Sequence, residues 1–233
     1  MTYGTLDVAA LHTPALARTQ GAVMSNPAES WYAESTAAAL RAQLQCSAVQ
    51  CSWQFRQGSY APQLVLVLPD GSVDLIWNDS EVFIAGPDRM ANPASVAAGT
   101  TLTGVRLAAG VAAGLLQLPL HAIADQRVAL ETLWGAQGRT WQHRLEDGAD
   151  PLQTLLALCY QHAAPRDRQM AWLFEQLTVG TPTRLSALTD ALGISERSLR
   201  RRCQHAFGYG STRRWSASCA CSAFFGSCEG SAT

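Results

Sequence analysis

The chain has 233 residues, 48% apolar and 15% charged, with a formal net charge of −1. That length and apolar content support one large or two small folded cores and exclude an intrinsically disordered chain. Met1 to Asn26 lacks a basic start followed by an apolar run, and the most apolar stretch, Leu107 to Leu120, is short and interrupted by Gln117 and Pro119, so a cytoplasmic protein with no membrane partner is expected.

In chain order, the first 35 residues are rich in Ala, Ser and Thr and are expected to form a weakly structured lead-in. Alternation then predicts strands at Leu64 to Leu68, Val73 to Trp77, Val82 to Ala85 and Leu102 to Leu107. Turn chemistry separates them at Pro69-Asp70-Gly71, Asn78-Asp79-Ser80 and Gly86-Pro87-Asp88. Short strands at this spacing suggest a small antiparallel sheet or barrel, a β-rich regulatory domain over residues 36–120.

After Gly110 the period becomes helical. Val111 to Leu116, Leu120 to Gln126, Leu130 to Trp134, Trp141 to Leu145, Pro151 to His162 and Asp167 to Leu177 each suit an amphipathic helix, and Val179-Gly180-Thr181-Pro182 ends the run. Residues 121–180 are thus expected to be a helical connector, 181–210 a helix-turn-helix, and 211–233 a disordered tail of different composition. The fold class is α+β. No internal repeat is visible.

All seventeen basic residues are arginine, a bias expected of a GC-rich bacterial genome. Their distribution is informative: residues 1–193 carry eleven arginines against sixteen acids, whereas residues 194–214 carry six against one glutamate. A basic segment on a mildly acidic body is a common arrangement for a DNA-binding module, although a solvated charged helix has the same look.

Cysteines stand at 46, 51, 159, 203, 219, 221 and 228 and are expected to be thiols. Cys159 and Cys203 fall at helical core positions and read as small buried apolar groups. Cys46-x4-Cys51 has no second pair at zinc spacing, and the Cys219-x-Cys221 pair with Cys228 has no evident fourth ligand, so no metal or cofactor is expected.

The basic segment follows a helix in which Leu185, Leu188 and Leu192 share a face. Gly193 stands where a left-handed C-terminal cap favours glycine. Ser195 then has N-cap chemistry, with Ile194 and Leu199 placed as a hydrophobic staple. Two short helices around a tight glycine turn form a helix-turn-helix. At 100° per residue, Leu199, Cys203, Ala206 and Phe207 of the second helix face the first. Arg197, Arg201 and Gln204 lie opposite, flanked by Ser198, Arg200 and His205. Arg202 and Glu196 sit at the boundary, where positioning or internal pairing is expected. Guanidinium groups on the outward face can donate to guanine edges and meet phosphates; an ordinary helical hairpin with a basic stripe is the competing reading.

Leu185 to Gly210 resembles the first helix-turn-helix of the AraC family, in the pattern Ser195-x-Arg197-x-Leu199-x-Arg201 and in Gly208 closing the second helix. Leu68 to Trp77, Ala85 to Asp88, Gly104 to Leu107 and Asp125 to Val128 resemble an uncharacterised domain found ahead of AraC-type modules, which often has Cys where Ser72 stands. Together these motifs span roughly residues 40 to 210. The resemblance implies a bacterial transcription regulator whose partner is double-stranded DNA, with Arg197, Arg200 and Arg201 at the base-contacting positions. Ser195, Ser198 and Gln204 complete the expected DNA-binding set. A small-molecule effector and a homodimer are compatible with it.

AraC-type modules carry two helix-turn-helix units. Here the pattern stops after one, and the tail holds three cysteines in ten residues with no apolar stripe. Back-translating Arg213 onward with GC-rich codons and reading one base earlier permits a Leu- and Arg-rich sequence resembling the family's linking helix. A regulator truncated by a shifted frame is therefore expected, and the gene's nucleotide sequence tests it. A single helix-turn-helix reaches one major-groove segment, so truncation should remove much of the affinity and half the site; the alternative to a DNA-binding regulator is a remnant acting only as a ligand-binding or dimerisation domain. A cupin-like enzyme is the remaining class. Its metal needs a His-x-His pair, but the five histidines stand alone, and no G-x-S-x-G, P-loop or His-Glu-x-x-His occurs. Asp70 and Asp74 flank a turn, where backbone hydrogen bonding is expected before catalysis. The protein is expected not to be an enzyme.

Overall fold

The computed structural model describes residues 30–36, 48–59, 64–67, 69–178 and 184–210. Among these residues, eight strands are β1 (Trp31–Thr36), β2 (Val49–Arg56), β3 (Leu64–Val67), β4 (Asp74–Trp77), β5 (Val82–Ala85), β6 (Asn92–Ser95), β7 (Thr101–Leu107) and β8 (Arg127–Ala129). Seven helices are α1 (Ala112–Leu116), α2 (Leu130–Trp134), α3 (Ala136–Glu146), α4 (Pro151–Gln161), α5 (Arg168–Thr178), α6 (Leu185–Leu192) and α7 (Glu196–Phe207). Six strands form an antiparallel sheet in the order β1-β2-β7-β4-β5-β8, and β3 pairs with β6 in a separate ribbon. The fold is α+β. Among the described residues β1 and β8 are open edges, so the sheet does not close into a barrel.

Register decides which side chains meet, because neighbouring residues of a strand point to opposite faces. Ser52, Val105, Leu75, Ile84 and Val128 stand in one row across five strands. Leu75, Ile84 and Val105 are fully buried there, and α4 packs on this side of the sheet. Asp150 caps α4 by accepting from the Gln153 N–H at 2.8 Å, with Pro151 in the first turn. Its buried Leu155, Leu156 and Leu158 contribute roughly 1.5–3 kcal/mol each. The adjacent row, Cys51, Arg106, Asp74, Ala85 and Arg127, faces the other way.

Three expectations need correction. The expected lead-in contains β1, which pairs along its whole length with β2. Leu120 to Gln126 is not an amphipathic helix: only Leu120–Ala122 turns, as one 3-10 segment. The rest is pulled onto the sheet, because Gly86 N–H donates to the Gln126 carbonyl at 3.0 Å and Asp125 N–H to the Pro87 carbonyl at 3.1 Å. Those bonds deliver the chain into β8. Strands β2, β6 and β8 were not expected, and β6 contains Pro93, which stands on a two-stranded edge where its missing donor is tolerated. Leu68, Cys46, residues 179–183 and the tail 211–233 lie outside the described residues.

A second apolar cluster joins α5, α6 and α7 through Met170, Leu173, Leu188, Leu199, Cys203, Ala206, Phe207 and Tyr209.

Candidate functional site

The connection between α6 and α7 has the expected chemistry. Gly193 adopts a left-handed conformation (φ 63°) and its N–H returns to the α6 carbonyls. Ser195 is extended at the start of α7, and its Oγ accepts from the Ser198 N–H at 3.2 Å. Ser195 Oγ also donates to Ser198 Oγ at 3.2 Å. These two hydroxyls are engaged with each other and with the helix start. Ile194 packs at the rim of the same cluster that buries Leu199.

α7 then divides cleanly. Leu199, Cys203, Ala206 and Phe207 are buried, while Arg197, Arg200, Arg201, Gln204 and His205 are exposed. Positions 197, 200, 201 and 204 follow i, i+3, i+4, i+7 spacing, so they form one stripe. Among the described residues no ion pair neutralises Arg197, Arg200 or Arg201. The Gln204 side chain lies back along Gly210, where an added Cβ would come within 2.8 Å of its Nε2. Arg202 is the exception in this basic run. Its Nη2 holds both oxygens of Asp167, at 3.2 and 3.0 Å, and its Nη1 donates to Gln169. Internal pairing of Arg202 is therefore observed, and Asp167 also accepts from the N–H groups of Gln169 and Met170 at 3.1 Å, capping α5.

The far end of α7 meets the sheet domain. Gly208 turns left-handed (φ 77°), and a Cβ on it would stand 2.7 Å from Pro87 Cγ. The Tyr209 hydroxyl donates to the Asp88 carbonyl oxygen. Asp88 is itself held by Arg127 in a two-oxygen pair at 3.1 and 2.7 Å.

A second polar group lies on the sheet face opposite the helices. Arg106 binds Asp74 with two hydrogen bonds, at 3.0 and 3.1 Å, and Asp70 at 3.0 Å. Asp70 accepts from the Ser72 N–H at 2.9 Å, as expected of a turn aspartate. Its pairing with Arg106 was not foreseen, nor was that of Asp74. The signal that would reveal the Asp74 pair is register: Asp74 and Arg106 are direct cross-strand partners. Burial pushes the Asp70 carboxyl above its ordinary value, with Asp74 adding to this and Arg106 opposing it. Burial works against the Arg106 guanidinium, but Asp74 and Asp70 raise its pKa well above the ordinary value. Beside them the buried Cys51 thiol is pushed up to about 12, chiefly by desolvation.

Residues 42–129 match a family model described as a domain of unknown function, DUF6597. No curated protein and no solved structure matches the chain. The matched stretch covers β2 to β8, together with the Asp70–Asp74–Arg106 group and the Pro87–Asp88 turn. Among the described residues no helix is long and apolar enough to cross a membrane, and no group of three or more His, Cys, Asp or Glu side chains is placed to hold a metal ion.

Proposed function

We propose that this protein is a sequence-specific, DNA-binding transcription regulator of AraC type, acting in the cytoplasm, with α7 as the helix that enters the major groove. One observation carries the reading. Of the four arginines of α7, the one turned toward the protein is paired, and the three on the outer stripe are exposed and form no ion pair among the described residues. Keeping three guanidiniums unpaired on a capped helix leaves their donors available to an external acceptor. A helix of twelve residues is about 18 Å long, and the major groove admits an α-helix. Arg197, Arg200 and Arg201 are assigned to base edges or adjacent phosphates. Ser195 and Ser198 are assigned to building the helix start, from which a backbone N–H can reach a phosphate. The matched domain would then take an effector or form the dimer contact.

The test is a selection of random-sequence duplexes on the full chain, followed by anisotropy titration of the enriched duplex at several salt concentrations. Binding should weaken steeply with salt. Arg197→Ala with Arg201→Ala should weaken it by about a hundredfold, at roughly 1–3 kcal/mol per base-reading arginine, and relax the selected sequence. No enrichment, or binding that survives the double substitution, would falsify the reading and leave the matched domain as a ligand-binding or dimerisation unit.

A further inference from the structure

α7 is held at two places, and both holds lead into the sheet domain. The first is Arg202, gripped by Asp167. The Asp167 N–H donates to the Gly110 carbonyl at 2.9 Å, just beyond β7, and the approach is close enough that a Cβ on Gly110 would stand 2.5 Å from the Asp167 carbonyl oxygen. The second is the end of the helix. Ala206 and Phe207 share a small cleft with Gly71, Ser72, Leu107 and Ala108. Gly208 abuts Pro87, and the Tyr209 hydroxyl closes onto the Asp88 carbonyl. These holds are four to seven residues apart, on the helix and just past its end, so together they fix its direction and its rotation about its own axis.

At the helix end, both turns on the sheet side stand on charged groups. The Gly71–Ser72 turn is tethered through Asp70 to Arg106 and Asp74. The Pro87–Asp88 turn is tethered through the Asp88 carboxylate to Arg127 on β8. The outer arginine stripe takes no part in either hold.

We infer that the anchor at the end of α7 is a regulatory joint, in which the sheet domain sets the pose of α7 and a disturbance at the Asp88–Arg127 or Asp70–Arg106 pairs changes DNA affinity without touching the arginines that meet DNA. The inference rests on the DNA-binding reading. Its consequence is specific: a substitution on β8, away from the outer arginine stripe, lowers affinity for the selected duplex. The slope of affinity against salt stays the same, because the phosphate contacts are unchanged.

Two variants test it on the full chain. Tyr209→Phe removes the hydroxyl and keeps the ring. Arg127→Gln loosens Asp88 from the opposite side without altering α7. With the enriched duplex, Tyr209→Phe should bind about tenfold more weakly and Arg127→Gln roughly threefold, both with the wild-type salt slope. Without DNA, hydrogen exchange should quicken in residues 86–90 and 203–208 together in both variants. Unchanged affinity in both variants overturns the joint, as does tighter binding or quickened exchange confined to the segment carrying the substitution. If the wild type binds no duplex in a salt-dependent way, the DNA-binding reading itself falls. Wild-type binding with unaffected variants removes the joint alone.

Discussion

Asp70 and Asp74 bind the same guanidinium, yet they stand in different relations to it. Asp74 makes a two-oxygen pair with Arg106 and is the more buried, with 13% of its side chain exposed against 27% for Asp70. Asp74→Asn should strip Arg106 of its main partner and cost about 2–3 kcal/mol, read from denaturant midpoints. Asp70 behaves in the opposite sense. Because the fold holds its carboxyl above the ordinary 3.8, its favourable contribution is complete below that value and is lost as pH rises through the folded value. Asp70→Asn should therefore match the wild type below the ordinary carboxylate value and gain on it as pH rises above that value, levelling off once the folded carboxyl is ionised. A variant whose disadvantage grows with pH would show that attraction to Arg106 outweighs desolvation. The thiols extend the same logic. Burial lifts Cys51 to about 12 and Cys203 to about 11, and Cys159 is fully buried. Alkylation at pH 8 should mark all three at least about a hundredfold more slowly in the folded chain than in denaturant, by peptide mapping.

At the scale of elements, two left-handed glycines, Gly193 closing α6 and Gly208 closing α7, differ in surroundings. Gly193 has open space where a Cβ would go, so Gly193→Ala should cost only the conformational strain, about 1 kcal/mol. Gly208→Ala adds a collision with Pro87 and should cost about 2 kcal/mol or more. Ser195→Ala removes the cap and should cost about 1 kcal/mol. Gly208→Ala should have the lowest thermal midpoint of the three, with Gly193→Ala and Ser195→Ala close together above it. These features were readable in advance because caps and turns are local: Gly193, Ser195 and the buried stripe from Leu199 to Phe207 need only neighbours a few residues away. The segment from Leu120 to Gln126 was not. Its apolar spacing is helical, but its hydrogen-bond partners, Gly86 and Pro87, lie more than thirty residues earlier, and a local pattern cannot register bonds of that range. β2 escaped for a related reason. Its Gln50, Ser52, Gln54 and Arg56 alternate with Val49, Cys51, Trp53 and Phe55, but both faces of this strand are partly covered, so polarity alone does not mark the inner face.

Over the whole molecule, two apolar clusters meet along a seam that Asp167 crosses. It caps α5, holds Arg202 and donates to Gly110. Far-ultraviolet dichroism and tryptophan fluorescence should report one coincident thermal transition in the wild type. Asp167→Ala should separate the two by freeing the helical module from the sheet. Transitions that stay coincident would assign the coupling to the Gly208–Tyr209 contact instead. The exposed arginines of the candidate site were legible from the period of α7, as was the inward turn of Arg202. Its partner, thirty-five residues earlier, was not.

Tyr209 bears on how the protein can be taken apart. Two short helices joined by a tight turn, such as α6 and α7, look like a cassette that could be grafted onto another protein. Here the last buried residues of α7 and the tyrosine after them rest on Pro87, Asp88 and the Gly71–Ser72 turn. A graft of residues 184–210 alone would expose Phe207 and Tyr209 to water. A chimaera that keeps residues 30–210 together carries its own seat for the helix and keeps β1 on β2.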